Sequence, residues 1–287
     1  MDRIRRMETY TGSIRQTALP AEFRCAVTLG VDFDGPSHEV GRGIAPVGTH
    51  SWGRYSARCG IPRHLEMLTR QGVPCTFFVP GYDAQCHPDT IHAIHAAGFE
   101  VAAHGYLHEA WDLGAEEETK LLHQTDDILR QLIGEPIQGW RSPSGRKTAN
   151  TMRVLKAMGY LYDSSDKDYD LPYRLRFGSK DDCIIELPNN TYSLDDFPFF
   201  KFSFTPPSEV LAQWKSEFDA IYDAERFMVL TVHPRSGWGS GTPARTWILE
   251  QMISYMKGHA GVRFFSSAGF ARWCLDNPQC LEEITVP

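Results

Sequence analysis

Two short motifs carry side chains that could hold a divalent metal ion. Asp32 and Asp34 lie two residues apart in VDFDG, so both point to the same face of a strand and their carboxylates repel each other. A cation would relieve that repulsion. His104 and His108 lie four residues apart in HGYLH. One aspartate and two imidazoles are a common ligand set for a zinc-like catalytic ion, so we expect Asp34, His104 and His108 to bind one divalent metal, with Zn²⁺ as the expected ion.

The HxxxH spacing sets a condition on the local backbone. Both imidazoles reach one ion if the residues after Gly105 form the first turn of a helix, because residues four apart lie on one helix face. The same spacing is also typical of surface or capping histidines. Its position directly after the apolar run FEVAAHG, on a strand that follows VDFDG, favours the metal site.

Two further residues could take part in chemistry. His233 ends the apolar run LTVHP, where a histidine is either a hydrogen-bonded core residue or a catalytic acid that protonates a leaving amine. Arg141 in GWRSPSG could orient the carboxylate of the VDFDG pair that does not bind metal, or could form a surface ion pair.

The hydrophobic pattern predicts the elements that position these residues. Short apolar runs typical of buried strands span residues 25–34, 75–81, 99–105, 137–143, 160–166, 183–190, 227–235 and 262–267. Segments with apolar residues three or four apart, typical of helices, span residues 62–72, 88–98, 115–134, 148–159, 207–225 and 243–260. This alternation indicates an α/β fold with a parallel sheet, and the number of repeats favours closure into a (β/α) barrel.

Polar residues gather at the carboxyl ends of the predicted strands. They are Asp32, Asp34, His104, His108, Arg141, Asp163, Asp166, Asn189, Asn190 and His233. These ends share one rim in a parallel barrel, and active sites lie at that rim. Two predicted loops, 35–61 and 191–206, could cover the barrel mouth, which favours a small soluble substrate over a polymer.

Composition favours a single enzyme domain over residues 1–287, with a core at about 25–270 and an N-terminal arm at 1–24. A formal charge of −7 argues against a nucleic-acid partner. The start of the chain lacks a signal-like apolar run, and no stretch reaches the roughly 18 apolar residues of a membrane span, so we expect a cytoplasmic protein without membrane contact.

The Phe-rich stretch 195–204 is either a loop packed on the barrel or a subunit contact, and we expect a homo-oligomer.

Taken in order, VDFDG, HGYLH, RSPSG and LTVHP resemble the motifs of the polysaccharide deacetylase (NodB-homology) family of metal hydrolases. The resemblance covers roughly residues 25–270. Through GIPRHLEML, AAHGYLHE, YDSSD and IELPNNTYSLDDFP it is closest to the signal-less branch of Helicobacter-type peptidoglycan deacetylases, cyclic imidases and allantoinases. The fold that it implies is a distorted (β/α) barrel with about seven parallel strands.

The resemblance also implies a role for each motif residue. Asp32 would be the general base, held by Arg141, and His233 would be the general acid. The metal ligands would be Asp34, His104 and His108. The usual first motif of the family has adjacent carboxylates, whereas Phe33 separates them here, and Ser144 stands where the family usually has an aromatic residue. An oxyanion donor at that position would then be the backbone N–H.

The implied activity is metal-dependent hydrolysis of a non-peptide C–N bond, such as N-deacetylation of an N-acetylated sugar or a related amide. Ring opening of a cyclic imide or an allantoin-type ureide is the alternative. We expect a small-molecule or carbohydrate amide as substrate, in contact with Trp140, Ser144, Asn190 and Trp238. The tryptophans could instead only pack in the core. A non-catalytic carbohydrate-binding barrel would be marked by loss of the base or the acid, and Asp32 and His233 are both present.

Overall fold

The computed structural model describes residues 23–178, 182–189 and 192–285. Among these residues, ten strands form one sheet: β1 Cys25–Asp32, β2 Thr76–Val79, β3 Glu100–Ala103, β4 Gly139–Trp140, β5 Tyr162–Asp163, β6 Tyr173–Arg176, β7 Cys183–Glu186, β8 Phe227–Val232, β9 Val262–Phe265 and β10 Glu282–Thr285. The N-terminal arm predicted over residues 1–24 lies outside the described residues, except for Phe23 and Arg24.

The described part of the chain contains eleven α-helices: α1 Ser37–Val40, α2 Trp52–Tyr55, α3 Ile61–Gln71, α4 Gly81–Cys86, α5 Pro88–Ala96, α6 Ala115–Ile133, α7 Ala149–Ala157, α8 Asp196–Pro198, α9 Pro207–Asp223, α10 Pro243–Lys257 and α11 Ser267–Asp276. None of the described helices is both long enough and apolar enough to span a bilayer.

The sheet is mostly parallel and curls into a half-barrel, which confirms the predicted α/β, NodB-like barrel fold. The strand order is β10-β6-β7-β5-β4-β3-β2-β1-β8, and β9 pairs with the first half of β1. Only β6 and β7 run antiparallel among the described pairs. After β7 the chain crosses to the other edge of the sheet, where Asp195 forms a parallel bridge with Thr231 of β8.

Burial on both faces explains the strands that the apolar runs predicted. Every residue of β1 and of β8 is buried, and the two strands pair along six positions, from Ala26–Phe227 to Val31–Val232. Each of the eight predicted strand regions contains a strand. The strands β6 and β10 were missed because neither is a continuous apolar run: YRLR alternates apolar and polar residues, and EEIT, at the edge of the sheet, is mostly polar.

The two predicted loops contain helical structure, so the expectation of irregular loops was wrong. Residues 35–61 include α1, α2 and a π-helical turn at Ser56–Gly60. Residues 195–206 include α8 and a second π-helical turn at Phe199–Ser203. In the Phe-rich stretch, Phe200 is buried, whereas Phe202 and Phe204 are 68% and 80% exposed. Homo-oligomer formation through this stretch stays a prediction.

Candidate active site

A cavity of about 300 Å³ lies at the carboxyl ends of the parallel strands. Strand register aligns these ends, since Asp32 of β1 lies opposite Phe78 of β2 and Ala103 of β3 lies opposite Trp140 of β4. The wall of the cavity includes all six predicted catalytic and metal-binding residues: Asp32, Asp34, His104, His108, Arg141 and His233. The fold therefore brings together residues that are up to 201 positions apart in the chain.

Asp34, His104 and His108 form a buried candidate metal site. One nitrogen or oxygen atom from each residue lies within 4.8 Å of the other two. His104 Nε2 is 3.5 Å from Asp34 Oδ1, and His108 Nε2 is 3.2 Å from Asp34 Oδ2. Asp34 Oδ1 is buried and has no hydrogen-bond partner among the described residues. A buried carboxylate oxygen without a partner and two convergent imidazoles are the donor set that a zinc-like ion requires, so the three residues fit such an ion.

The charge state of Asp34 agrees with this donor set. Burial raises the pKa of Asp34, but the rings of His108, His104 and His233 outweigh burial and hold this pKa well below its ordinary value. The carboxylate is therefore ionised at neutral pH, as a metal ligand must be.

A second contact orients His104. Its Nδ1 is 2.9 Å from the backbone carbonyl oxygen of Arg141, an acceptor, so Nδ1 carries the proton and Nε2 is left free toward Asp34. Backbone or carboxylate acceptors of this kind fix the tautomer and the ring orientation of metal-binding histidines.

The backbone around His108 does not form the predicted helical turn. His108 has φ of 53° and Gly105 has φ of 69°, so both lie in the left-handed region. The Glu109 carboxylate accepts the backbone N–H of Tyr106 at 3.0 Å and that of Leu107 at 2.6 Å. The Glu109 carboxylate thus takes the place of the backbone acceptors of a helix. It also leaves no room for a side chain at position 105, because a Cβ atom at Gly105 would lie only 2.6 Å from Glu109 Oε2. A tight loop, and not a helix, therefore directs both imidazoles to Asp34.

Arg141 pairs with Asp32, as predicted. Nη1 of Arg141 donates to Asp32 Oδ1 at 2.7 Å, while Nε and Nη2 donate to the backbone oxygen and Oγ of Ser164 at 3.2 and 3.1 Å. The guanidinium also lies 3.9 Å from the centre of the Phe78 ring. Both charged groups are buried, and the fork geometry of arginine holds one oxygen of Asp32 in place. The other oxygen, Oδ2, is 3.9 Å from His104 Nε2.

His233 has a partner that the sequence analysis missed. Asp196 Oδ1 is 2.6 Å from His233 Nδ1, and Oδ2 accepts the backbone N–H of His233 at 3.0 Å. Burial lowers the pKa of His233, but the carboxylates of Asp196, Asp34 and Asp195 outweigh burial and raise it to about 10. The signal was the acidic pair in SLDDFP, which was interpreted only as part of a loop.

The predicted substrate contacts divide into three groups. Ser144 and Trp238 line the cavity. Trp140 does not: its side chain is fully buried and packs 5.1 Å from the ring centre of Trp111, so the expectation that Trp140 contacts substrate was wrong. Asn190 lies outside the described residues, whereas its neighbour Asn189 lines the cavity.

The backbone N–H of Ser144 already has a partner, Ser142 Oγ at 3.3 Å. Asp163 and Asp166, to which the sequence analysis assigned no role, lie with Glu186 beneath the segment that contains Ser144. Carboxylate oxygens of Asp166 and Glu186 are 2.8 and 2.7 Å from Lys147 Nζ. Asp163 pairs with Lys147 as well. These ion pairs anchor the segment from Ser142 to Lys147 on β5 and β7, so the aspartates position the cavity wall without lining it.

Comparisons with known proteins agree with this site. A sequence model of the family "Polysaccharide deacetylase" matches residues 42–162, a range that includes both metal-site histidines and Arg141. The peptidoglycan deacetylase of Helicobacter pylori is 29% identical over 273 residues, which cover 83% of this chain and 92% of that protein.

Two solved structures share the fold along almost their whole length. The crystal structure of Puue allantoinase has a TM-score of 0.80 and 26% identity, covering 91% of this chain and 94% of the other. The crystal structure of a "putative polysaccharide deacetylase" from Mycobacterium smegmatis has a TM-score of 0.84 and 32% identity, covering 94% of this chain and 96% of the other. On this similarity in sequence and structure, the chain belongs to the polysaccharide deacetylase family.

Proposed function

We propose that the protein is a metal-dependent hydrolase that cleaves a non-peptide C–N bond, by deacetylating an N-acetylated sugar or a related small amide. One observation carries this proposal: the candidate metal site lies between a carboxylate and a protonated imidazole. Asp32 Oδ2 is 3.9 Å from His104 Nε2 on one side, and His233 Nε2 is 3.8 Å from Asp34 Oδ2 on the other. A base, a metal site and an acid on one wall are the parts that metal-dependent amide hydrolysis uses.

A divalent ion held by Asp34, His104 and His108 would supply Lewis acidity, which makes a water molecule more acidic and stabilises negative charge on the amide oxygen. Asp32 would accept a proton from the attacking water. Because Arg141 holds Oδ1 of this carboxylate, Oδ2 is the oxygen available for the proton.

His233 would donate the second proton, to the leaving nitrogen. Its Nδ1 is bonded to Asp196, so the proton on Nε2 is the one available. The raised pKa of about 10 keeps the ring protonated at neutral pH. General acid catalysis of this kind contributes on the order of 10²- to 10⁴-fold in rate.

The size of the cavity supports a small substrate. A volume of about 300 Å³ is at the lower end of the range for small-molecule pockets, and the aromatic rings of Phe197, Trp238 and Tyr192 form part of its wall. Ring opening of a cyclic imide or a ureide is the second candidate reaction. The likeness to Puue allantoinase and the small volume of the cavity favour it.

The experiment combines metal analysis with an activity panel. The purified protein is analysed for bound metal, and N-acetylglucosamine oligomers, cyclic imides and allantoin are assayed with and without a chelator. We expect about one divalent ion per chain and chelator-sensitive turnover of at least one amide. Turnover without metal, or with undiminished rate in chelator, would contradict the proposal.

Three variants separate metal binding from catalysis. His104→Gln should lose both metal and turnover, because it removes a ligand. Asp32→Asn should keep the metal and lose turnover. Unchanged turnover of Asp32→Asn would instead contradict the role of Asp32 as base. His38→Gln is the matched control, since the His38 ring lies on the cavity wall, 5.0 Å from the His108 ring, without belonging to the metal site.

A further inference from the structure

Within the part of the chain that the structure describes, two exposed cationic side chains line the cavity without a carboxylate partner, Lys167 and Arg42. Lys167 Nζ donates a hydrogen bond to the backbone oxygen of Asn189 at 2.8 Å and lies 5.6 Å from the ring centre of Tyr192. Arg42 Nη1 donates to the backbone oxygen of His38 at 2.6 Å. Within the described ranges, no carboxylate oxygen lies within 4.0 Å of a side-chain nitrogen of either residue.

Carboxylates also lie on the cavity wall or directly behind it. Arg141 pairs with Asp32, and Asp34 lies between the two metal-site histidines. Asp195 lies 3.9 Å from His233 Nδ1 and therefore shares that cation with Asp196. The four carboxylates of Asp32, Asp34, Asp195 and Asp196 are therefore matched in number by the four cations of Arg141, His233, Lys167 and Arg42, so the protein's own charges at this site are about balanced.

A bound divalent ion would make the site positive overall. Its positive charge adds to those of Lys167 and Arg42 in a space of about 300 Å³. Desolvation of the ammonium group and the positive charge of Arg141 both lower the pKa of Lys167. The carboxylates of Asp195, Asp32 and Glu186 raise this pKa without outweighing the two other causes, and a negative group beside the ammonium would be stabilised.

We propose that the amide substrate carries a carboxylate group and that Lys167 binds this group, with Arg42 as a second cation on the cavity wall. This inference rests on the proposed hydrolase function and narrows its substrate class to small acidic amides. Lys167 has three N–H donors and uses one of them on Asn189, so two remain for a ligand. A charge-assisted hydrogen bond to a carboxylate is about twice as strong as a neutral one.

Binding to the metal-loaded protein can be measured without turnover. The acidic probe is levulinate, in which a methylene group replaces the amide nitrogen of N-acetylglycine, so no bond can be hydrolysed. The neutral probe is 2-hexanone, which has the same ketone and no charge. Ligand-observed NMR titration gives a dissociation constant for each probe with the wild type and the variants.

We expect levulinate to bind the wild type more tightly than 2-hexanone does. Lys167→Met should weaken levulinate binding about tenfold and leave 2-hexanone binding unchanged, because only the charge-assisted contact is lost. Lys167→Arg should retain most of the affinity, and Arg42→Met should weaken levulinate binding to a smaller extent. Lys156→Met is the matched control, since Lys156 is exposed at the end of α7, outside the cavity wall.

Three results would overturn the proposal. The first is levulinate binding that is undetectable in the wild type or unchanged in Lys167→Met. The second is equal binding of both probes. The third is inorganic phosphate binding more tightly than levulinate with the same dependence on Lys167, which would assign the position to a phosphate group. Turnover of the amide panel is measured separately, so each of these results is distinguishable from failure of the proposed hydrolase function.

Discussion

Asp196 holds His233 at two points, the ring Nδ1 at 2.6 Å and the backbone N–H at 3.0 Å. The two contacts use different oxygens of one fully buried carboxylate, so the position and the tilt of the imidazole are both constrained. Because Nδ1 is engaged, Nε2 is the nitrogen that lies toward Asp34. This relationship makes His233 a protonated side chain of fixed orientation on the wall of the cavity.

Replacing the negative charge of Asp196 should change the pH profile of the enzyme. In Asp196→Asn the pKa of His233 should fall from about 10, because a neutral amide no longer stabilises the imidazolium. The alkaline limb of the kcat profile should move to lower pH, and kcat at neutral pH should fall by about 10²-fold. Asp195→Asn is the matched control, with a smaller shift expected at its distance of 3.9 Å. An alkaline limb that stays in place in Asp196→Asn would refute this assignment.

Arg141 and Asp32 should be strongly coupled in stability. Arg141→Met leaves a buried carboxylate without its partner, which typically costs about 3–5 kcal/mol in the free energy of unfolding. The double variant Asp32→Asn, Arg141→Met should recover part of that loss, because neither charge is then unpaired. Denaturant unfolding of both single variants and the double variant measures the coupling. Arg70→Met, which breaks an exposed ion pair with Glu250, should change stability much less. Additive effects at Arg141 and Asp32 would contradict the pairing.

Glu109 should affect metal affinity without binding the metal. Its carboxylate holds the backbone of Tyr106 and Leu107, and the adjacent His108 has a left-handed backbone that needs such support. In Glu109→Ala the loop should relax, and metal affinity should fall about tenfold or more, as for other residues that support metal ligands. Competition with a chelating indicator measures the dissociation constant. Glu116→Ala, in the exposed first turn of α6, serves as control, and equal affinities of the two variants would contradict this role.

His64 should make the folded protein sensitive to acid. Burial lowers the pKa of His64 to about 4, although its Nε2 bonds to the backbone oxygen of Ser240 at 3.1 Å. Between about pH 6.5 and pH 4 the unfolded chain binds a proton at this residue and the folded chain does not, so stability falls as pH falls, by about 3 kcal/mol in total.

The comparison variant for this effect is His64→Gln, which keeps an N–H donor for Ser240 and does not titrate. Its free energy of unfolding should depend less on pH between 6.5 and 4 than that of the wild type. His92→Gln replaces an exposed histidine and should leave the wild-type pH dependence unchanged. If the free energy of unfolding changed with pH by the same amount in the wild type and in His64→Gln, His64 would not be the cause of the acid sensitivity.

Strand positions and the identity of the metal-site residues were predictable from sequence for one reason. Strands such as β1 and β8 are buried on both faces and therefore read as continuous apolar runs, and the polar residue that ends each run must lie at the shared carboxyl edge. Asp34, His104, His108, Arg141 and His233 were found in this way. The strands β6 and β10 and the helices within 35–61 lack such runs, so their patterns did not distinguish them from loops.

What the sequence alone determined is therefore the parallel fold and the set of groups at its rim, because both follow from local hydrophobic pattern and strand direction. Apart from the pair of Arg141 and Asp32, which was predicted, tertiary structure decided which groups pair. Asp196 reaches His233 because the segment after β7 crosses to β8, and Trp140 is buried against Trp111 instead of lining the cavity. Contacts between segments that are distant in the chain depend on packing in three dimensions, which local pattern does not encode.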